Sequence, residues 1–201
     1  MTKALFKFDD FLKKACYFEA SLILVAMLLG WFAHINPFAT IHLSKASVLY
    51  GVIGTVPLFL MFLALERIER HSVAQIRQFL LRTLGPCLHR YDWVNLFILA
   101  AVAGISEEVL FRGVIQPWIE VSWGGMVGLL VSNLLFGFVH SVTPLYSILA
   151  ALVGIYLGLA MDFQGERNLL TPIIIHTLYD FLAFLALIRT YRSGLVTASK
   201  N

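Results

Sequence analysis

Glu107, Glu108, Arg112, His140, His176 and Asp180 are the side chains whose types and spacing could do chemistry together. Glu108 and Arg112 are four residues apart, so on a helix they stack on one face and can neutralise each other. Glu107 points roughly 100° away from Glu108 and lacks that partner, which leaves it as the reactive carboxylate and a candidate general base. His140 closes the run Phe136-Gly137-Phe138-Val139-His140, and Asn133 lies seven residues earlier on the same helical face. Asp180 follows His176 by one helical turn. Two imidazoles and acidic groups drawn from three helices suit two chemistries. One is activation of a water by acid and base groups; the other is a divalent metal such as zinc held by Glu107, His140 and His176. The residues alone leave both open. The remaining histidines, His34, His42, His71 and His89, fall in or beside loops and are assigned no catalytic role.

The elements that must position these groups follow from composition. Of 201 residues 59% are hydrophobic and 13% charged, where soluble domains carry roughly 45–50% and about 25%. With a mean hydropathy of +0.82, a soluble single domain is excluded, because a chain of this size still leaves about 30% of its unfolded surface in water. The apolar runs are long enough to cross a hydrocarbon core, which takes about 20 helical residues. The expected fold is therefore an all-α, polytopic membrane helix bundle of about six transmembrane helices, over 16–38, 47–65, 93–119, 124–141, 145–161 and 170–188. The first run is too long for the apolar core of a signal peptide and no small-residue cleavage site follows it.

Between the second and third runs lies a polar stretch, 66–91, in which Val73, Ile76, Leu80 and Leu84 recur at helical spacing. It reads either as a helix lying in the membrane interface or as an amphipathic connector. The connections near 119–124 and 141–145 are short enough to make the third, fourth and fifth spans neighbours. The pairs Gly124/Gly128 and Gly154/Gly158 allow helices to approach closely. The chain divides into two N-terminal spans with the connector (1–92), a four-span catalytic core (93–189) and a tail (190–201).

Lysine and arginine set the orientation. Lys3, Lys7, Lys13 and Lys14 precede the first span, Arg67, Arg70, Arg77, Arg82 and Arg90 lie between the second and third, and Arg189, Arg192 and Lys200 follow the last. Lys45 and Arg167 fall on the opposite side, so the positive-inside rule places both termini in the cytoplasm. These charges flank apolar runs rather than forming a soluble basic face, so nucleic acid is excluded as a partner. Cys16 and Cys87 have no metal spacing and require no disulfide.

An ionisable side chain at a helix centre costs something like 2.5–3.5 kcal/mol on insertion scales, so each charge in the core spans marks a candidate functional position. Counting back from a turn near residue 121 at 1.5 Å per residue puts Glu107 at ~21 Å and His140 at ~28 Å. His176, counted from the loop before the last span, comes out only about 10 Å deep. Either the segment 162–171 dips into the bundle as a re-entrant loop, which Gly165 and Pro172 permit, or the last span begins elsewhere.

Three motifs in order, Glu-Glu-x-x-x-Arg at 107–112, Phe-x-x-x-His at 136–140 and His-x-x-x-Asp at 176–180, resemble the CAAX-protease and bacteriocin-processing (CPBP, or Abi) family of intramembrane proteases. The resemblance covers about 93–189. It implies that Glu107 acts with His140 to activate a water, that His176 and Asp180 orient or stabilise the oxyanion, and that Glu108 and Arg112 hold the helix geometry. It implies a membrane-embedded or lipid-anchored peptide substrate; the chain's size and lack of a targeting extension, separately, favour a prokaryotic inner membrane. The family has been described both as metal-dependent and as a metal-free glutamate type, so no cofactor is fixed. Where the eukaryotic prenyl-protein type has Asn, this chain has Asp180, which donates a hydrogen bond only when protonated.

Two other readings compete. In one, the buried charges form an ion-pair network in an inactive scaffold or immunity protein, a poor route to stability because desolvation can exceed the Coulombic gain. In the other they relay protons or cations in a transporter, against which stand the short loops and the absence of a visible inverted repeat.

Overall fold

The computed structural model describes the backbone of residues 2–198 and the side chains of residues 11–195. The side chains of Lys3 and Lys7, and Lys200 as a whole, lie outside the described residues. The described chain is all helix and turn: α1 (Thr2–Ala33), α2 (Lys45–Glu66), α3 (His71–Thr83), α4 (Gly85–Leu88), α5 (Trp93–Leu110), α6 (Gln116–Trp123), α7 (Gly125–Val139), α8 (Pro144–Ala160) and α9 (Leu170–Ala198), with a π-helical segment, Phe111–Ile115, joining α5 to α6. Four stretches are long and apolar enough to cross a membrane, Phe11–Ala33, Lys45–Glu66, Trp93–Trp123 and Leu170–Leu195. The expected fourth and fifth spans are the shorter apolar helices α7 and α8.

Local signals explain the boundaries. At the start of α2, Ser44 and Ser47 cap each other, the Ser47 N–H donating to Ser44 Oγ at 2.9 Å and the Ser44 N–H to Ser47 Oγ at 3.1 Å. Asp92 accepts from the Asn95 N–H to open α5. Thr143 does the same for Tyr146 in α8, with Pro144 in the first turn, where its missing N–H costs nothing. Gly124 separates α6 from α7 at φ +84°, a backbone state that glycine adopts without strain. Gly124 is thus a turn residue with no close neighbour, whereas Gly128, Gly154 and Gly158 do sit at close helix contacts. The first span ends at Ala33 rather than near 38, since the chain turns there.

α5 packs against α1 and α9, α9 also packs against α2, and α7 packs against α6 and α8. At one end of the bundle, Leu12 in α1 donates its N–H to the Tyr91 hydroxyl, and Arg192 in α9 donates to the His89 carbonyl. The N-terminal end of α1, the α3–α4 region and the C-terminal end of α9 therefore meet there.

The opposite end explains how His176 reaches the site. α9 begins at Leu170 as expected, so the boundary stands and the preceding connection is folded inward. Leu169 is fully buried and donates its N–H to the Thr40 carbonyl, and Asn168 hydrogen-bonds both ways with the His42 backbone. A Cβ on Gly113 would lie 2.5 Å from the Pro37 carbonyl oxygen and 3.4 Å from the Leu169 side chain. Leu169 is thus level with Gly113. At 1.5 Å per residue, the descent from Leu169 to His176 is about 10 Å and that from Gly113 to Glu107 about 9 Å.

Candidate active site

Glu107 and Glu108 lie in the last turn of α5, where successive side chains diverge. Glu108 faces the interior behind the site. Its Oε1 accepts from Arg112 Nη1 at 2.9 Å and from His176 Nδ1 at 2.8 Å. Arg112, 1% exposed, also donates through Nη2 to Asn133 Oδ1 at 2.7 Å and to the Gly154 carbonyl at 2.8 Å, with its guanidinium 4.7 Å from the centre of the Phe136 ring. A side chain on Gly154 would occupy the space of Asn133 Oδ1 and Arg112 Nη2. Charge-assisted bonds of this kind offset much of the cost of a guanidinium in the interior, although its Nε is buried without a partner. The π-helical segment contains Arg112; such wide turns recur at functional sites.

Glu107 faces the other way. Its Oε2 lies 3.6 Å from His140 Nε2 and 4.0 Å from His176 Nε2, and it is buried without a hydrogen-bond partner. His176 Nε2 is in turn 3.6 Å from Asp180 Oδ2. His140 is the residue after α7; its Nδ1 donates to the Phe136 carbonyl at 2.8 Å and its ring stacks at 4.3 Å on that of Phe136. These spacings exceed a direct hydrogen bond and leave room for a shared water. The structure thus brings Glu107, His140, His176 and Asp180 together. Asn133 stands behind them, its Oδ1 accepting from Arg112 Nη2 at 2.7 Å.

The four groups line a cavity of about 440 Å³ that runs toward α3 and α4, within the range of small-ligand sites. Its walls are otherwise mostly apolar, and α3 contributes Val73, Ile76 and Leu80 to them. The amphipathic helix thus lends these apolar side chains, together with Arg77, to the cavity wall. Sequence reading missed Glu19 on α1, which also lines the cavity and whose Oε2 is buried without a partner. The available signal was the same as for Glu107: a carboxylate inside an apolar run. On the far side, outside the spans, Arg167 pairs with Glu120 and Asp162. Its hydrogen bonds to Glu120, and then to Asp162, hold its guanidinium above the ordinary arginine range.

Glu107, His140 and His176 are side-chain types that zinc accepts, but a tetrahedral zinc needs its ligand atoms about 3.4 Å apart. The 4.0 Å between Glu107 and His176 is wider, and no group of three or more His, Cys, Asp or Glu among the described residues is arranged to hold a metal ion. The residues present do not fit one.

An all-helical membrane bundle that encloses two imidazoles and three carboxylates beside an apolar cavity belongs to the class of integral membrane proteins with a buried polar centre. Residues 89–182, which carry every one of these groups except Glu19, match the family described as type II CAAX prenyl endopeptidase Rce1-like. Over this segment, a little under half of the chain, the protein is similar to that family of endopeptidases. Comparison with curated proteins gives no match, and comparison with solved structures gives none.

Proposed function

We propose that the chain is an intramembrane endopeptidase in which Glu107 and His140 activate a water. The observation that carries this reading is the buried, unpartnered Glu107 Oε2 facing His140 Nε2 and His176 Nε2 at the cavity wall. His140 Nδ1–H is given to Phe136, so the neutral ring presents a lone pair at Nε2. A water between Glu107 and His140 donates one hydrogen to each and turns its own lone pair outward. As the water oxygen bonds to the carbonyl carbon, Glu107 takes its proton and the carbonyl electrons move to oxygen. When the tetrahedral intermediate collapses, the C–N bond breaks and Glu107 returns the proton to the leaving nitrogen. His176, held by Glu108, and Asp180 orient the carbonyl and its oxyanion.

The apolar cavity supports a lipid-anchored or membrane-embedded peptide as substrate. Lys13, Lys14, Arg82, Arg90, Arg189 and Arg192 fall at or beside the end where α1, α3–α4 and α9 meet, and that supports a cytoplasmic placement of both termini and of the cavity mouth, in a prokaryotic inner membrane. The test is cleavage of a membrane-proximal peptide by the purified chain in proteoliposomes, compared with Glu107→Gln and His140→Ala. Turnover by correctly inserted variants at the wild-type rate would sink the proposal, and ion flux that disappears with the same variants would favour a transporter.

A further inference from the structure

One carboxyl group in the cavity wall takes no part in the reaction described. Glu19 lies in α1, outside the matched segment 89–182, and its Oε2 is buried without a hydrogen-bond partner. Leaving such an oxygen unpaired in the interior costs stability, so its natural partner is one that arrives with a ligand. The cavity itself offers none. Arg77 is the one arginine, and there is no lysine, among the described residues that line it, and Arg77 donates to the Glu66 carbonyl at 2.7 Å. The Nδ1–H groups of His176 and His140 are given to Glu108 and Phe136.

Packing fixes how deep Glu19 lies. The Leu12 N–H reaches the Tyr91 hydroxyl at 3.2 Å, Ala15 and Cys16 pack in one cluster with Leu96 and Leu99, and Leu22 and Ala26 pack in another with Val109 and Leu110. α1 and α5 therefore run side by side in the same direction, and Glu19 falls beside Ala103. That is one helical turn, about 6 Å, from Glu107 on the side toward α3 and α4. Ala103 and Glu107 both line the cavity with Glu19, and the nearby wall residues Ala15 and Leu99 are apolar. An extended peptide advances about 3.3–3.6 Å per residue, so a scissile bond held at Glu107 sets the residue about two positions away against Glu19.

Resting on the endopeptidase reading, we infer that Glu19 is a specificity-determining residue, which receives a lysine or arginine side chain that the substrate carries about two residues from the scissile bond. The apolar stem of that side chain lies along Ala15, Leu99 and Ala103 while its charged head meets the carboxylate. A neutral residue at the same place leaves the buried oxygen unpaired, and an acidic one sets like charges side by side. Glu19 thus selects by attraction and by repulsion together. The substrate it fits is an apolar, membrane-proximal peptide with a basic residue beside the cleavage point.

The test uses the full chain in proteoliposomes with internally quenched apolar peptides, blocked at both ends, in which one position at a time within two residues of the cleavage point is lysine, norleucine or glutamate. At the position that meets Glu19, the wild type should cleave the lysine peptide with a kcat/KM about tenfold or more above that of its norleucine isostere, and the glutamate peptide slowest. Glu19→Gln keeps the shape and removes the charge. It should abolish the lysine preference while cleaving the norleucine peptide as the wild type does, and Glu19→Lys should favour the glutamate peptide. Should Glu19→Lys fail to insert, Glu19→Gln decides alone. Equal cleavage of lysine and norleucine peptides by the wild type at every position, or a lysine preference that survives in folded Glu19→Gln, would overturn this inference and leave the protease reading intact. If the wild-type chain cleaves none of the peptides, the endopeptidase reading fails, and binding of the same peptides to wild type and Glu19→Gln decides the Glu19 site: tighter binding of the lysine peptide that disappears in Glu19→Gln upholds it, and equal binding overturns it.

Discussion

His176 Nδ1 donates to Glu108 Oε1 at 2.8 Å, so the second glutamate of the pair fixes the ring whose other nitrogen faces the first. The adjacent carboxylates divide the work: Glu108 gathers Arg112 and His176 behind the site, and Glu107 is left bare in front of it.

Removing the bare carboxylate should abolish turnover without unfolding the chain. Glu107→Gln is expected to lower kcat by about 10²–10⁴-fold, the usual worth of a positioned general base, with thermal stability in detergent at or above wild type because no hydrogen bond is lost. A normal rate of peptide cleavage by the folded variant would contradict the role.

Glu108 and Arg112 should behave as a unit. Glu108→Leu leaves a guanidinium in the interior with less to pair with, and Arg112→Met leaves the carboxylate; each is expected to cost about 3–5 kcal/mol. The double variant should cost clearly less than the two summed. Thermal unfolding of all four chains completes the cycle, and strict additivity would show that the pair does not interact.

Glu19 carries a buried oxygen with no partner, so its replacement should relieve a desolvation cost. Glu19→Leu is expected to raise stability by about 1 kcal/mol, since the side chain is only partly buried. A fall in melting temperature would show that Glu19 has an interaction that the static arrangement does not contain.

Arg167 ties α6 to the connection before α9. Its raised pKa means that its charge, and the stability drawn from it, are fully present below the ordinary arginine value of about 12.5 and are lost only above that. Proteolysis of the 162–168 connection should therefore stay flat from neutral to moderately alkaline pH. Arg167→Ala should speed it while costing at most about 1 kcal/mol globally, because the pair is part-exposed.

Because the ligand spacing does not suit zinc, activity should survive prolonged dialysis against a strong chelator. Loss of cleavage that zinc restores, together with stoichiometric metal in the purified chain, would require Glu107, His140 and His176 to move closer together than they stand here.

The candidate site residues were legible because charge is costly in lipid and therefore conspicuous in an apolar run. The division between Glu107 and Glu108 followed from helical geometry, and so did the pairing of Glu108 with Arg112. The bond from His176 to Glu108 was not legible, because its register depends on how far the last helix is carried inward. That depth is set by Pro37, Thr40 and His42 meeting Gly113, Asn168 and Leu169, contacts between segments without periodicity. Glu19 was within reach of the same argument as Glu107 but lay outside the three motifs.

The shortness of α7 and α8 has a mechanical consequence for the surrounding lipid. Helices of 15 and 17 residues rise about 22 and 26 Å, less than the ~30 Å hydrocarbon core. A bilayer that meets this pair end to end has to thin beside it. His140 sits at the joint between the two helices, so the polar centre lies at one end of a helix pair too short to cross the full hydrocarbon core.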